Sequence, residues 1–158
     1  MQKLKVIKHD FNAGNAHLFK DGETTVFDYK FQFRSGSFNT FKGKPVESCF
    51  SHNGRFLWVT YYRRSYDPNA INPSAVAIID TNTDEIVRVM PAGVLPKMIA
   101  ASPDNRFVAV THWGDNTIGI IDIAGDDPFQ FKYVKHLIVD RRLELSFVVS
   151  EKVDRDVN

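Results

Sequence analysis

The sequence predicts an all-β protein built from short antiparallel strands. Three observations support this fold class: a high content of Phe, Val, Ile and Thr, polar turn sequences at short intervals, and an internal repeat. Those residue types fit half-buried pleated surfaces better than helices, and 13 of the 158 residues are Phe. With 43% hydrophobic residues, the chain is large enough for one domain with a substantial core.

Two segments of the chain repeat one pattern. "PVESCFSHNGRFLWVT" (Pro45 to Thr60) aligns with "PKMIAASPDNRFVAVT" (Pro96 to Thr111), and the match resumes as "VAIID" (Val76 to Asp80) above "IGIID" (Ile118 to Asp122). Identical or chemically similar residues coincide through both blocks. The sequence therefore predicts two copies of one supersecondary unit.

Each unit is predicted to contain four strands joined by tight turns. The first two strands flank "SHNGR" or "SPDNR", where Gly54 and Asn105 suit a left-handed backbone angle. "RFLWVT" and "RFVAVT" are second strands, "VAIID" and "IGIID" third strands, and the fourth are "IVRVM" (Ile86 to Met90) and "YVKHLIV" (Tyr133 to Val139). Four short antiparallel strands in about 40 residues are typical of a β-propeller blade.

The second copy, "PKMIAASPDNRFVAVTHWGDNTIGIID", closely resembles the YVTN-type β-propeller repeat over its 27 residues, with His112 at the position of the family's Asn. The first copy departs from that repeat in two ways. His52 and Asn53 replace Pro-Asp, and 15 residues separate its second and third strands, against 6 in the second copy. The resemblance implies a partial propeller of four-stranded antiparallel blades.

We divide the chain accordingly into a degenerate blade (1–44), a blade with a long loop insertion (45–92), a consensus-like blade (93–140), and the start of a further blade or a connecting tail (141–158). This makes about two and a half to three blades, whereas a ring needs about four to eight. The chain is then a fragment of a longer propeller, a half-propeller completed by other chains, or a small open sheet domain. We expect the partners to be the remaining blades or further copies of the chain.

In a propeller blade, the loop before the first strand and the loop between the second and third strands emerge on one rim. That rim is the predicted ligand-binding site, because loops on a rigid scaffold concentrate binding residues. Basic and aromatic side chains there suit an anionic or aromatic ligand, a glycan or a peptide. The predicted site consists of Lys44, Tyr61, Tyr62, Arg63, Arg64, Tyr66, Lys97, His112 and Trp113.

A structural interpretation of these loops stays open, with the arginines solvated and the tyrosine rings packing the insertion against its neighbour. In "GDNT" (Gly114 to Thr117) we expect Gly to supply an unusual backbone angle and Asp and Asn to cap the turn. His112 with Asp115, and the loop "DPNAIN" (Asp67 to Asn72), lack complete metal-ligand spacing. No metal or cofactor is predicted.

No catalytic motif of a hydrolase, a nucleotide-binding enzyme or a zinc protease is found. Ser51 and His52 are adjacent, but neighbouring side chains at a strand end are expected to point apart. The leading prediction is therefore a non-catalytic binding or scaffold module that presents its rim to a protein, glycan or anionic ligand. The alternative is a fragment of a lactonase-like hydrolase whose catalytic centre lies in blades absent from this chain.

Composition adds several exclusions. The net charge of +1 does not support nucleic-acid binding. The single cysteine, Cys49, cannot form an intramolecular disulfide and is expected to be a buried structural thiol. No apolar run approaches the length of a membrane span and no signal peptide is present, so we expect a soluble chain, although the family resemblance suggests a periplasmic or extracellular setting.

Overall fold

The computed structural model describes residues 5–20, 41–62 and 73–139. Within these ranges the protein is all-β, with short 3₁₀ segments at Ala13–Leu18, His52–Gly54 and Pro128–Gln130. The strands are β1 (Asp10–Phe11), β2 (Phe41–Lys42), β3 (Pro45–Ser51), β4 (Phe56–Tyr61), β5 (Pro73–Asp80), β6 (Glu85–Val94), β7 (Pro96–Ala101), β8 (Phe107–His112), β9 (Thr117–Asp122) and β10 (Lys132–Ile138).

Two four-stranded antiparallel sheets account for most of this structure. Sheet I has the order β3-β4-β5-β6 and sheet II the order β7-β8-β9-β10, so each strand pairs with its neighbour in sequence. The short strands β1 and β2 form a separate antiparallel pair. The predicted all-β class and the four-stranded antiparallel sheets are therefore confirmed, and the two sheets do not close on themselves.

The repeated sequences adopt the same register in both sheets. Pro45 pairs with Tyr61 in sheet I, as Pro96 pairs with His112 in sheet II, and a bulge follows each proline. A second bulge interrupts the pairing of the third and fourth strands at corresponding points. Since a bulge re-aims the side chains of its strand, the shared bulges give the two sheets the same inward and outward residues.

The first turns also carry the backbone angles that their sequences predict. Gly54 has φ of 92° and Asn105 has φ of 54°, so both occupy the left-handed region. The loop before the first strand of the second unit, which the repeat predicts at "GVLPK" (Gly93 to Lys97), is a single residue. β6 continues to Val94, and only Leu95, at φ of 51°, precedes β7.

The main core lies between the two sheets. Its buried residues from sheet I are Phe56, Trp58, Val76, Ile78, Met90 and Ala92, and those from sheet II and its connections are Ile99, Val108, Val110, Ile121, Ile123 and Phe131. These residues alternate along their strands with residues of the opposite face, as a two-faced sheet requires. Sheet I therefore buries one face against sheet II.

A second core covers the other face of sheet I. We call residues Lys5–Lys20 together with β2 the N-terminal segment; its Phe11, Leu18, Phe19 and Phe41 pack against sheet I. The 3₁₀ turn within it is held by Asn12, whose side chain accepts from the amide of Gly14 while its own amide donates to Asn15. Both faces of sheet I are thus covered.

Polar groups also cross the interface between the sheets. Thr60 Oγ1 donates to the carbonyl of Lys97 at 2.8 Å. The fully buried Arg88 guanidinium donates to the carbonyl of Phe131 at 2.8 Å and to that of Pro128. Along the described ranges, no helix has both the length and the apolar character needed to cross a membrane.

Candidate functional site

The predicted rim corresponds to one end of both sheets. The start of the first strand and the end of the second meet there in each sheet, and the Thr60 to Lys97 bond joins the two ends. The amide of Tyr62 donates to the carbonyl of Lys44 at 2.9 Å, and the amide of Trp113 donates to that of Leu95 at 3.0 Å. These equivalent bonds fix both rim loops to the residues that precede β3 and β7.

Six of the nine predicted site residues lie at this end, and they differ in exposure. Lys44 and Trp113 are exposed, while Tyr62 and Lys97 are half-buried. The other three, Arg63, Arg64 and Tyr66, lie outside the described residues, as does the loop Asp67 to Asn72.

Tyr61 and His112 require a correction, because the structure buries both instead of exposing them on the rim. Tyr61 is 0% exposed and packs in the second core, with its hydroxyl 2.6 Å from His9 Nδ1. Burial raises the pKa of Tyr61, so its hydroxyl stays protonated. These two residues end strands β4 and β8 with inward-pointing side chains, an orientation that the alternation along each strand determines.

Trp113 is the most prominent exposed group of the rim. Its side chain is 56% exposed, and the Lys97 Nζ lies 4.2 Å from the ring centroid. At this distance the ammonium group interacts favourably with the face of the indole. The backbone bond to Leu95 and this cation-π contact hold the ring in a defined position while leaving much of its surface accessible to solvent.

A groove of about 430 Å³ adjoins Trp113. Besides Trp113, it is lined by Thr111, His112, Asn116, Thr117, Ile118 and Val139. The walls combine an indole and aliphatic side chains with hydroxyl and amide groups. Such a mixture of apolar surface and a few polar groups is typical of ligand sites.

Behind the groove lies a buried polar cluster centred on His112. Thr117 Oγ1 donates to Asp115 Oδ1 at 2.5 Å and lies 2.9 Å from His112 Nδ1. Because the Thr117 hydroxyl proton is directed to the carboxylate, Nδ1 of His112 is assigned as the protonated nitrogen that donates to Thr117. His112 Nε2 has no hydrogen-bond partner among the described residues.

His136 completes this cluster from the neighbouring β10 strand. Its ring centroid lies 5.2 Å from that of His112, and Tyr133 packs edge-on against it at 5.6 Å. Burial lowers the pKa of His112 to about 4, with Asp115 opposing the shift and His136 adding to it. Burial also lowers the pKa of His136. Both imidazoles are therefore uncharged at neutral pH.

The contributions of His136, Tyr133 and Asp115 to this cluster were not predicted from the sequence. The available signal was the imidazole itself, a titratable residue inside the predicted fourth strand "YVKHLIV". What the sequence could not provide is the pairing of His136 with Gly119, which brings the imidazole next to His112.

The turn after β8 differs from the expected geometry in one respect. The left-handed residue is Asn116, at φ of 54°, and Gly114 does not have a positive φ. Gly114 is required for a different reason: a β-carbon there would collide with the Val94 side chain. Asp115 connects the turn to β6: its Oδ1 accepts from the Thr117 hydroxyl at 2.5 Å, and its Oδ2 accepts from the Val94 amide at 2.9 Å.

Ser51 and His52 were expected to point apart, but they are hydrogen bonded. Ser51 Oγ lies 2.9 Å from His52 Nδ1, and His52 Nε2 lies 2.7 Å from the carbonyl of Gly125. The φ of 51° at His52 turns its side chain back toward Ser51. Because a carbonyl can only accept, Nε2 donates to Gly125 and Nδ1 accepts from the Ser51 hydroxyl.

This pair connects the two sheets instead of forming a nucleophile. Ser51 is 2% exposed and accepts a hydrogen bond from Trp58 Nε1 at 2.9 Å, so its oxygen is enclosed. The partner of His52 is a backbone carbonyl and not a carboxylate, which a catalytic triad would require. The pair therefore does not favour the hydrolase alternative.

The described residues also bear on a metal site and on a reactive thiol. Within residues 5–20, 41–62 and 73–139, no three His, Cys, Asp or Glu side chains are arranged to hold a metal ion. The Cys49 thiol is half-buried, and burial raises its pKa to about 11. A thiol with such a pKa carries little thiolate at neutral pH, so it is a poor nucleophile.

Comparison with protein-family models and with curated proteins finds no match for this chain.

Proposed function

We propose that the chain is a non-catalytic binding module, part of a YVTN-like β-propeller, whose rim binds a glycan, protein or other ligand that carries negative charge. The observation that carries this proposal is the pairing of an exposed indole, Trp113, with the Lys97 ammonium 4.2 Å away, beside a groove. An aromatic face next to a fixed cation suits a ligand that has both a flat apolar surface and an anionic group.

The propeller part of the proposal is supported by how the sheets stack. The two sheets share the register of their repeated strands and two corresponding bulges. They meet through non-equivalent faces: the face of sheet I that carries Phe56 packs on the face of sheet II that carries Val110. Repeating one such contact generates a series that closes radially when the rotation per sheet allows it. The 27-residue likeness to the YVTN repeat points the same way.

Ligand selection at the rim follows from its charges. Lys44 and Lys97 both lie at the starts of first strands, and β3 and β7 lie side by side. Two lysines at one end of the sheets favour anions, whereas the net charge of +1 gives no general attraction for polyanions. The family likeness alone suggests a cell-envelope setting, so we include anionic envelope glycans among the candidate ligands.

A titration by calorimetry tests the rim. The probes are a sulfated oligosaccharide, an uncharged oligosaccharide of equal length and an acidic peptide. We expect binding of at least one anionic probe, and we expect Trp113→Ala to weaken it by about tenfold, since an aromatic or cation-π contact contributes about 0.5 to 2 kcal/mol. Lys97→Met, which keeps most of the aliphatic stem, should weaken the anionic probe selectively.

Phe50→Ala is the matched control, because Phe50 is an exposed aromatic residue (58%) near the opposite end of β3. It should leave binding unchanged. All three variants should keep a melting temperature close to that of the wild type, since Trp113 and Phe50 are exposed and Lys97→Met keeps most of the aliphatic stem of the half-buried Lys97. If no anionic probe binds, or if Trp113→Ala binds as well as Phe50→Ala, the rim is not the ligand site.

A further inference from the structure

The outward face of sheet II is apolar and uncovered in the described structure. Met98 is 50% exposed, Phe107 37% and Leu137 40%, and Ile118 and Ile120 are half-buried. Strand pairing places these residues on one face, because Ile120 lies beside Ala109 and Ile118 beside Leu137. An apolar sheet face of this extent is typical of an interaction surface.

The equivalent face of sheet I is the one that sheet II covers. Phe56 and Phe107 occupy the same position in the repeat, since each pairs with the aspartate that ends the third strand. Phe56, Trp58, Val76 and Ile78 are all 0% exposed in the core between the sheets. Equivalent faces of the two sheets therefore differ in burial: the one on sheet I is covered by sheet II, and the one on sheet II is exposed to solvent.

Two polar residues on this face extend the equivalence. Thr60 and Thr111 both bond to the first strand of their own sheet, but Thr60 also donates across the interface to the Lys97 carbonyl. Lys135 pairs with Ile120 as Arg88 pairs with Ile78, and Arg88 donates to carbonyls of sheet II. Thr111 and Lys135 are thus placed to donate to backbone carbonyls of a unit docked on sheet II.

The chain stacks its layers in one direction. The N-terminal segment packs on Val59 and Tyr61 of sheet I, and sheet I packs on the equivalent residue Val110 of sheet II. His112, equivalent to Tyr61, is buried on that same face. The next layer of this series would lie on the exposed face of sheet II. The N-terminal segment is the first layer of this series, on the side of sheet I opposite to sheet II.

We propose that a second copy of this chain covers the exposed face of sheet II, with the N-terminal segment of each copy docked on sheet II of the other. The proposal rests on the propeller part of the proposed function. The three layers formed by the described residues of each copy would make six layers in a closed pair, within the range of about four to eight that propellers use. The second copy would also supply the missing wall of the groove beside Trp113.

Sedimentation and light scattering of the full chain, from about 1 to 500 µM, test this proposal; the range covers the micromolar affinities of small interfaces. We expect a limiting mass of twice 18.0 kDa. The double variant Met98→Lys with Leu137→Lys should raise the dissociation constant by tenfold or more. Phe50→Lys, at a residue that is equally exposed but belongs to sheet I, should leave it unchanged.

A charge reversal on β10 provides a second test. Lys135→Glu should weaken the pair by tenfold or more, because its position corresponds to that of Arg88. Lys132→Glu is the matched control, since Lys132 is also exposed but corresponds to Glu85. It should have little effect on the dissociation constant.

A wild-type chain that stays monomeric throughout this range would overturn the proposal, as would open polymers or equal effects of the face and control variants. These outcomes are separable from those of the rim titration, because mass measures docking and calorimetry with Trp113→Ala measures ligand binding. If the protein is monomeric and still binds the anionic probe, the proposed ligand site at the rim stands and the proposed pairing of two copies is wrong.

Discussion

Among single residues, the His112 imidazole belongs to the core even though it ends strand β8, next to the rim loop. Its side chain is 1% exposed and bonds to Thr117, and burial holds its pKa at about 4. An unfolded chain would restore the ordinary pKa of 6.5. The difference couples protonation of this one group to the stability of the protein.

The sign of this coupling follows from the direction of the shift. Between pH 6.5 and about 4 the unfolded chain binds a proton at residue 112 that the folded chain does not, so the free energy of unfolding falls as pH falls. The loss amounts to about 3 kcal/mol. We expect His112→Asn, which retains an N–H donor for Thr117, to flatten this part of the profile.

Urea unfolding at half-unit steps from pH 7 to pH 4 measures the effect. The difference between wild type and His112→Asn cancels the contribution of the distant His9, whose pKa burial also lowers. It reports His112 together with its interaction with His136. Parallel profiles for the two proteins would contradict the assigned role of His112.

Among the strands, β9 contains a glycine, Gly119, against which the side chains of Tyr133, His112 and His136 pack closely. A β-carbon on Gly119 would lie 2.6 Å from Tyr133 Cε1 and 3.0 Å from both His112 Cε1 and His136 Nε2. Those distances are shorter than ordinary contacts, so a larger residue must displace the rings. The glycine makes room for the polar cluster, which the sequence pattern of β9 does not disclose.

We therefore expect Gly119→Ala to lower the free energy of unfolding by about 1 to 3 kcal/mol through overpacking. Ile120→Val, on the other face of the same strand, is the control and should cost about 1 kcal/mol or less, because Ile120 is only half-buried. Chemical unfolding curves of the two variants measure the difference. A neutral effect of Gly119→Ala would show that the rings can move without cost.

At the scale of the whole molecule, Arg88 connects sheet I to sheet II. It is 0% exposed, donates to the carbonyls of Pro128 and Phe131, and lies 5.5 Å from the Phe129 ring centroid. These contacts satisfy carbonyl groups of the connection between β9 and β10. One side chain of sheet I thereby fixes the position of a loop in sheet II.

Replacing the Arg88 side chain should weaken the contact between the two sheets and lower the free energy of unfolding. We expect Arg88→Ala to cost about 3 kcal/mol or more, because it leaves buried carbonyls without a donor and opens a cavity. Arg106→Ala is the control: Arg106 forms an exposed ion pair with Asp122, whose loss should cost less than about 1 kcal/mol. Equal melting temperatures for the two variants would exclude a connecting role for Arg88.

Much of the fold could be predicted from local sequence. Alternation of apolar residues placed the strands, and the turn residues Gly54 and Asn105 marked the hairpins, because both signals act over a few residues. The repeat also predicted which strands correspond. The structure lengthened β6 to Val94 because its last residues find partners in β5 and in the turn that follows β8.

The candidate site was predicted less completely than the fold. Lys97 and Trp113 were identified from their place in the repeat, and the structure adds their mutual contact. Tyr61 and His112 were predicted to bind ligand at the rim and are buried, since a residue that ends a strand still follows the alternation of that strand. The hydrogen bonds of Ser51 and His52 were missed because they depend on an unusual φ at a non-glycine residue.

The all-β class, the hairpin turns and the two repeated units could be predicted from the sequence, because each depends on interactions between residues close in the chain. The structure adds which faces of those units are buried, that sheet I is covered on both sides, and that Trp113 contacts Lys97 beside a groove. These features depend on contacts between distant residues, and the physical reason is that an alternating pattern identifies two faces of a strand without specifying what covers each face.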